Sequence, residues 1–153
     1  MNKFLEIAKN SAQGGMRKNE GGPFGAVITS KDGEIIAIGN NQVLKQKDPT
    51  AHAEIVAIRN ACKKLDTYDL SGYKLYTSCQ PCPMCLSAII WANIKHVVYA
   101  CTKEDAAEIG FRDDMIYSYL NGEINDLLDM QQTDQKECKE LFEEYKKNNK
   151  IIY

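Results

Sequence analysis

The chain has no apolar run long enough to cross a bilayer, and its 153 residues hold only two histidines, four prolines and one tryptophan. A spanning helix needs about 20 consecutive apolar residues, so the sequence gives no reason to expect a membrane partner. No linker, repeat or low-complexity tract divides it, and with 44% hydrophobic residues the sequence predicts one domain, 1–153, with room for a three-layer core. The start, Met1 to about Met16, sets Lys3, Glu6 and Lys9 among Phe4, Leu5, Ile7, Ala8 and Ala12; this is an amphipathic helix pattern without the unbroken apolar stretch of an export signal. A cytoplasmic location follows as an expectation, in which six cysteines point to metal or core before disulfides. A basic excess is also missing. Residues 1–102 carry twelve Lys and Arg against eight Asp and Glu, and residues 103–153 carry seven against thirteen. A charge of −6 on the last third gives little support for a nucleic-acid partner and favours a small molecule.

With so few histidines, the position of each one matters. His96 opens a strand-like run and reads as structural, whereas His52 lies in His52-Ala53-Glu54, thirty positions before Pro81-Cys82-Pro83-Met84-Cys85. One imidazole and two thiolates are three ligands of the type zinc prefers, and no further Cys or His is clearly placed to be a fourth. An open fourth position, left for water, separates a catalytic zinc site from a structural one. Glu54 is the spare proton carrier of this arrangement. Two thiolates cancel most of the formal charge of a zinc ion, so a general base beside it is expected. Other readings of the parts are a redox Cys-x-x-Cys pair or half of a structural zinc site in an interaction module.

The spacing also constrains the geometry. His52 and Glu54 are about 200° apart around an ideal helix, so they share one metal site only where that site lies off the helix end. Asp48-Pro49-Thr50 predicts a helix start there, with Ile55, Ile58, Cys62 and Leu65 recurring on one face. Pro83 predicts a second start, for a helix from Met84 to about Ala92, and two helix N-termini would favour thiolates. Of the remaining cysteines, Cys62 and Cys101 read as small core residues, Cys79 as the end of a strand, and Cys138 as part of a polar helix.

Phe24 to Ser30 and Glu34 to Asn40 read as a hairpin through Lys31-Asp32-Gly33. Leu75 to Ser78 and Lys95 to Ala100 read as parallel strands joined by a right-handed helical crossover. The sheet is expected to be mixed, antiparallel at one edge and parallel further in, with helices on both faces. Short helices are expected at Lys103 to Glu108 and Asp114 to Leu120, a connection at 121–133, and a longer helix from Asp134 to Lys147.

Four segments carry a resemblance. Gly21 to Ile28, Asp48 to Glu54, Tyr76 to Cys79 with Pro81 to Cys85, and Asp105-Ala106-Ala107-Glu108 with Gly110-Phe111 resemble motifs of the cytidine deaminase superfamily and, within it, of the bacterial guanine deaminases. The signature His-x-Glu with Pro-Cys-x-x-Cys is that of zinc-dependent nucleobase deaminases. The resemblance implies an α/β fold, three-layer α/β/α with a central mixed five-stranded sheet. It implies a zinc ion held by His52, Cys82 and Cys85, proton transfer by Glu54, and hydrolysis of guanine to xanthine and ammonia. Phe24 and Trp91 would flank the base, while Asn41, Asp113 and Tyr153 would read it. The chain closes on Lys150-Ile151-Ile152-Tyr153, and the resemblance implies a homodimer that exchanges the segment near 121–153, so that Tyr153 covers the partner's site. Gln80 stands where the family usually has glutamate, and Arg112 where related sequences can have an acidic residue. The alternatives are a tRNA adenosine deaminase, or a deaminase of another aminated purine or a triazine.

Overall fold

Strand β1 of the computed structural model lies between two others, and its residues show why. In Gly25–Thr29 every position is buried, the pattern of a strand covered on both faces. It pairs antiparallel with β2 (Ile35–Asn40) on one side and with β3 (Lys74–Cys79) on the other. β3 in turn runs parallel to β4 (His96–Cys101), giving the order β2-β1-β3-β4. The structure describes residues 1–148 and 151–153; Lys150 of the closing tetrapeptide falls outside them.

The described residues form four strands, not the expected five, and the parallel pair lies at an edge and not further in. After β4 the chain turns into helix at once. Thr102 and Asp105 form a reciprocal capping box that starts α5 (Lys103–Glu108). α6 (Asp114–Leu120) follows, and residues 121–134 are rich in Asp, Asn, Gln and Gly, which strands disfavour. β4 is therefore an edge strand.

One face of the sheet carries α1 (Lys3–Arg17), whose Phe4 and Ala8 pack with Val27 and Tyr76. The rings of Phe4 and Tyr76 lie 4.7 Å apart. The other face carries α3 (Ala53–Leu65) and α4 (Pro83–Trp91) over Ala26, Ile28 and Leu75, with Ile89 of α4 in the same cluster. The short α2 (Val43–Gln46) lies between β2 and α3. This is the expected three-layer arrangement, but the buried stripe of α3 differs from the expected one. Ala53, Val56, Ala57 and Ala61 are buried, with Ile58, Cys62 and Leu65 at the flanks. A Cβ on Gly39 would meet the Ala53 carbonyl and the Ala57 backbone, so α3 lies too close to β2 for branched side chains in between. Cys101, expected in the core, is exposed at the end of the edge strand.

The chain divides into two compact units, Met1–Ile116 and Tyr117–Tyr153. The first contains the sheet with its covering helices. The second contains the end of α6 and α7 (Gln135–Lys147), where the Tyr145 hydroxyl donates to the Ile151 carbonyl at 2.6 Å. No described helix is long and apolar enough to cross a membrane.

Candidate metal centre and active site

The expected helix start at Asp48-Pro49-Thr50 is instead a turn: the Asp48 carboxylate accepts from the Thr50 backbone and hydroxyl at 2.8 and 2.7 Å. That short-range bond competes with helix and wins. The helix begins three residues later, with His52 at the N-cap of α3 and Glu54 in its first turn. Cys82 is likewise the N-cap of α4, with Pro83 at the first helical position as expected. Neither cap side chain makes a capping hydrogen bond. Both are thus free to face a common point off the two N-termini, the placement that the His-x-Glu spacing required.

His52, Cys82 and Cys85 meet at that point, with ligand atoms all within 4.8 Å of one another. His52 Nδ1 lies 3.5 Å from the sulfur of each cysteine. A tetrahedral zinc ion with Zn–N of about 2.1 Å and Zn–S of about 2.3 Å has N–S edges of about 3.6 Å, so the three groups fit the ion by distance as well as by chemistry. The thiols are set for a cation. Cys82 is pulled down to about 4, chiefly by its hydrogen bond with Cys85, with the His52 imidazole adding to the effect. The same hydrogen bond, with burial, pushes Cys85 up. The pair shares a proton, which a metal taking both sulfurs would displace. No fourth Cys, His, Asp or Glu joins the group among the described residues. Cys79 remains outside it, with its thiol raised to about 11, first by burial.

Glu54 is buried at 6% exposure, and its Oε1 accepts from the Thr77 hydroxyl at 3.1 Å. Burial holds its carboxyl above the usual range. Beside it opens a cavity of about 590 Å³, lined among others by Phe24, Asn41, His52, Glu54, Cys82, Phe111 and Asp113. That is ample for a purine ring. Phe24 and Phe111 pack edge to face at 5.0 Å on its wall, and Gly22 lies so close to both rings that a Cβ there would crowd them.

Asn41 is more specific than its residue type suggests. Its Oδ1 accepts from the Gly22 and Val43 backbone N–H groups, at 3.3 and 3.2 Å. Sequence alone leaves the amide able both to donate and to accept; in the fold its oxygen is committed, and Nδ2 is the group left for a ligand. Glu20 braces the same loops, its carbonyl accepting from Leu44 and Lys45 and its carboxylate from Asn40.

Asp113 lies on the cavity wall, and burial shifts its carboxyl upward. Arg112, next to it, is turned to Asp114 by a two-pronged ion pair, each bond 3.1 Å. Arg112 is therefore directed at Asp114 and not at Asp113. Gln80 also lines the cavity, and its Oε1 accepts from the Lys103 N–H at the start of α5, at 3.3 Å. A glutamate could accept that bond equally; the amide adds a donor where a carboxylate would have none.

One residue of the expected site lies elsewhere, and another belongs to the second unit. Trp91 is 69% exposed and does not line the cavity. It ends the helix that Cys82 caps, and eight residues at about 1.5 Å each carry it about 12 Å along the axis from Pro83. Tyr153 belongs to the second unit and is exposed. Sequence reasoning missed two others: Phe111, which served only as part of a motif, and Thr77, a polar residue in a buried stretch of strand.

Residues 1–101 match the family model of the cytidine and deoxycytidylate deaminase zinc-binding region. The chain belongs to that deaminase family. Among family members it is 56% identical to a guanine deaminase of Bacillus subtilis (strain 168) over 118 residues, 77% of this chain and 75% of that one. It is 43% identical to a tRNA-specific adenosine deaminase of Aquifex aeolicus (strain VF5) over 97 residues, 63% of each. The X-ray structure of guanine deaminase from Bacillus subtilis superposes with a TM-score of 0.92 at 46% identity, covering 100% of this chain and 99% of that one. For a deaminase of this family the metal is zinc, and His52, Cys82 and Cys85 are the residues able to hold it.

Proposed function

We propose that this chain is a zinc-dependent guanine deaminase, converting guanine and water to xanthine and ammonia in cytoplasmic purine breakdown or salvage. The observation that carries the reading is its end-to-end likeness to a guanine deaminase, which the shorter match to an adenosine-acting relative does not equal. The acidic balance of residues 103–153 adds to it, since a tRNA substrate calls for a basic surface.

His52, Cys82 and Cys85 hold the zinc ion in this reading. When bound, zinc supplies Lewis acidity that lowers the pKa of water and makes it a nucleophile at neutral pH. Glu54 moves the protons: its carboxylate takes one from the attacking water, gives it to the ring nitrogen beside C2, and helps protonate the departing amine. Burial suits it to this work, because a carboxyl raised toward neutrality both accepts and returns a proton readily. Asn41 orients the base by donating from Nδ2 to a ring acceptor. Asp113 accepts from the N–H edge of guanine, while Phe24 and Phe111, packed against each other, give the ring an apolar wall.

The whole chain, 1–153, is read as one deaminase domain whose segment 121–153 is exchanged in a homodimer, so that Tyr153 covers the partner's cavity. The test of the activity is the ultraviolet spectrum of guanine incubated with zinc-loaded protein, with Glu54→Ala as control. Conversion to xanthine by the parent alone is the expected result. A flat trace from zinc-replete protein overturns the guanine reading and turns the search to other aminated rings and to tRNA.

A further inference from the structure

We propose that Thr77 is a positioning residue, whose hydroxyl holds the Glu54 carboxylate in its working orientation. The inference rests on the reading of Glu54 as the proton carrier. Glu54 is fixed covalently at its Cα, in the first turn of α3, and three rotatable bonds separate that point from its oxygens, which also accept from its own backbone N–H and from the Cys85 thiol; Thr77 is the partner held on the sheet. Position along those bonds decides whether the carboxylate meets the substrate, and a displacement of about 1 Å is enough to cost about 10²-fold in rate.

Thr77 is suited to fix it. It lies in β3 with a strand on each side, paired with Ala26 of β1 and with Tyr99 of β4, so its backbone is held from both directions. Its side chain is 1% exposed, and its Oγ1 donates to Glu54 Oε1 at 3.1 Å across 23 residues of sequence. β-branching restricts its χ1, so the hydroxyl itself has little freedom. Were Glu54 to swing away, a buried hydroxyl and a carboxylate would both lose this partner, and such groups are costly to leave unpaired. Neighbouring polar side chains do other work: Ser78 accepts from the Gly25 N–H, and Gln80 from the Lys103 N–H. The three candidate metal ligands group without Thr77.

The experiment compares zinc-loaded Thr77→Val, which keeps the shape and removes the hydroxyl, with Thr77→Ser, which restores a hydroxyl without the methyl. For Thr77→Val the expected result is kcat on guanine lower by about 10- to 100-fold, with KM within about threefold and zinc content unchanged. Thr77→Ser should return kcat to within about threefold of the parent. A purely structural threonine would lower thermal stability in both variants and leave kcat per zinc-loaded protein the same. Crystal structures of both zinc-loaded variants give a readout that needs no substrate. A displaced Glu54 carboxylate in the valine variant, restored in the serine variant, supports the inference. A carboxylate unmoved in Thr77→Val overturns it. If the parent itself does not convert guanine, the activity reading fails separately, and the Glu54 position in the two structures still decides the role of Thr77.

Discussion

The two units solve the problem of burying apolar surface in opposite ways. In Met1–Ile116 a central strand is fully buried and two helical layers cover the sheet with alanine, valine, leucine and isoleucine. In Tyr117–Tyr153 no described residue is buried, although α7 carries Leu141, Phe142 and Tyr145, at 64, 73 and 42% exposure. An amphipathic helix is stabilised mostly by what its apolar face packs against, and a short one on its own is marginal. The first unit thus contains the determinants of its own fold, while the second carries a stripe in want of a cover.

Substitutions can break or sharpen this contrast. The largest expected effect falls inside the first unit: Glu54→Gln should lower kcat on guanine by about 10²-fold or more while zinc content, measured by metal analysis, stays at parent level. Chelation of zinc, or Cys82→Ser, should abolish turnover and lower the melting temperature of the first unit. Zinc retention should also fall as the pH is lowered, because the ligands bind only when deprotonated; a metal content independent of pH would argue against this ligand set. Leu75→Ala, at a fully buried position, should reduce the unfolding free energy by about 2–5 kcal/mol in urea titrations.

Asn41→Asp separates structure from recognition at one position. It keeps an oxygen for the Gly22 and Val43 N–H groups but removes the amine, so kcat/KM should fall about 10- to 100-fold while the fold is retained. The smallest effect tests the second unit. Phe142→Ala should change the unfolding free energy by no more than about 0.5 kcal/mol if α7 stays uncovered, whereas the exchange proposed above predicts a larger loss. A loss as large as that of Leu75→Ala, together with a shift from dimer to monomer in sedimentation, would mean that the α7 stripe is covered by another copy.

Much of this was legible in the sequence. The hairpin, the parallel crossover, both helix N-termini at the metal point and the three ligands follow from local patterns of two to five residues, where turn chemistry and ligand spacing act directly. The start of α3 was misplaced because Asp48 and Thr50 form a turn with the same residues that would cap a helix. The buried stripe of that helix departs from the run of large apolar residues because the close approach of α3 to Gly39 selects alanine. The fifth strand came from resemblance and had no alternating segment to form it. Trp91 and the committed oxygen of Asn41 were beyond reach for a different reason: a cavity wall is assembled from distant segments, and no local pattern reports which side-chain atoms face it.

The closeness of the sheet to its two helices has a consequence for how this molecule tolerates change. Gly39 lies against the first turn of α3, and Gly25, one step away across the hairpin, lies against the Ala8 carbonyl of α1 on the opposite face. There is no slack on either side at the end of the sheet next to His52. In a survey of all substitutions, Gly39 should behave like a ligand, failing by loss of metal, since any added carbon pushes α3 and takes its zinc-holding end with it, whereas Gly25 should fail by melting as α1 is pushed off the sheet.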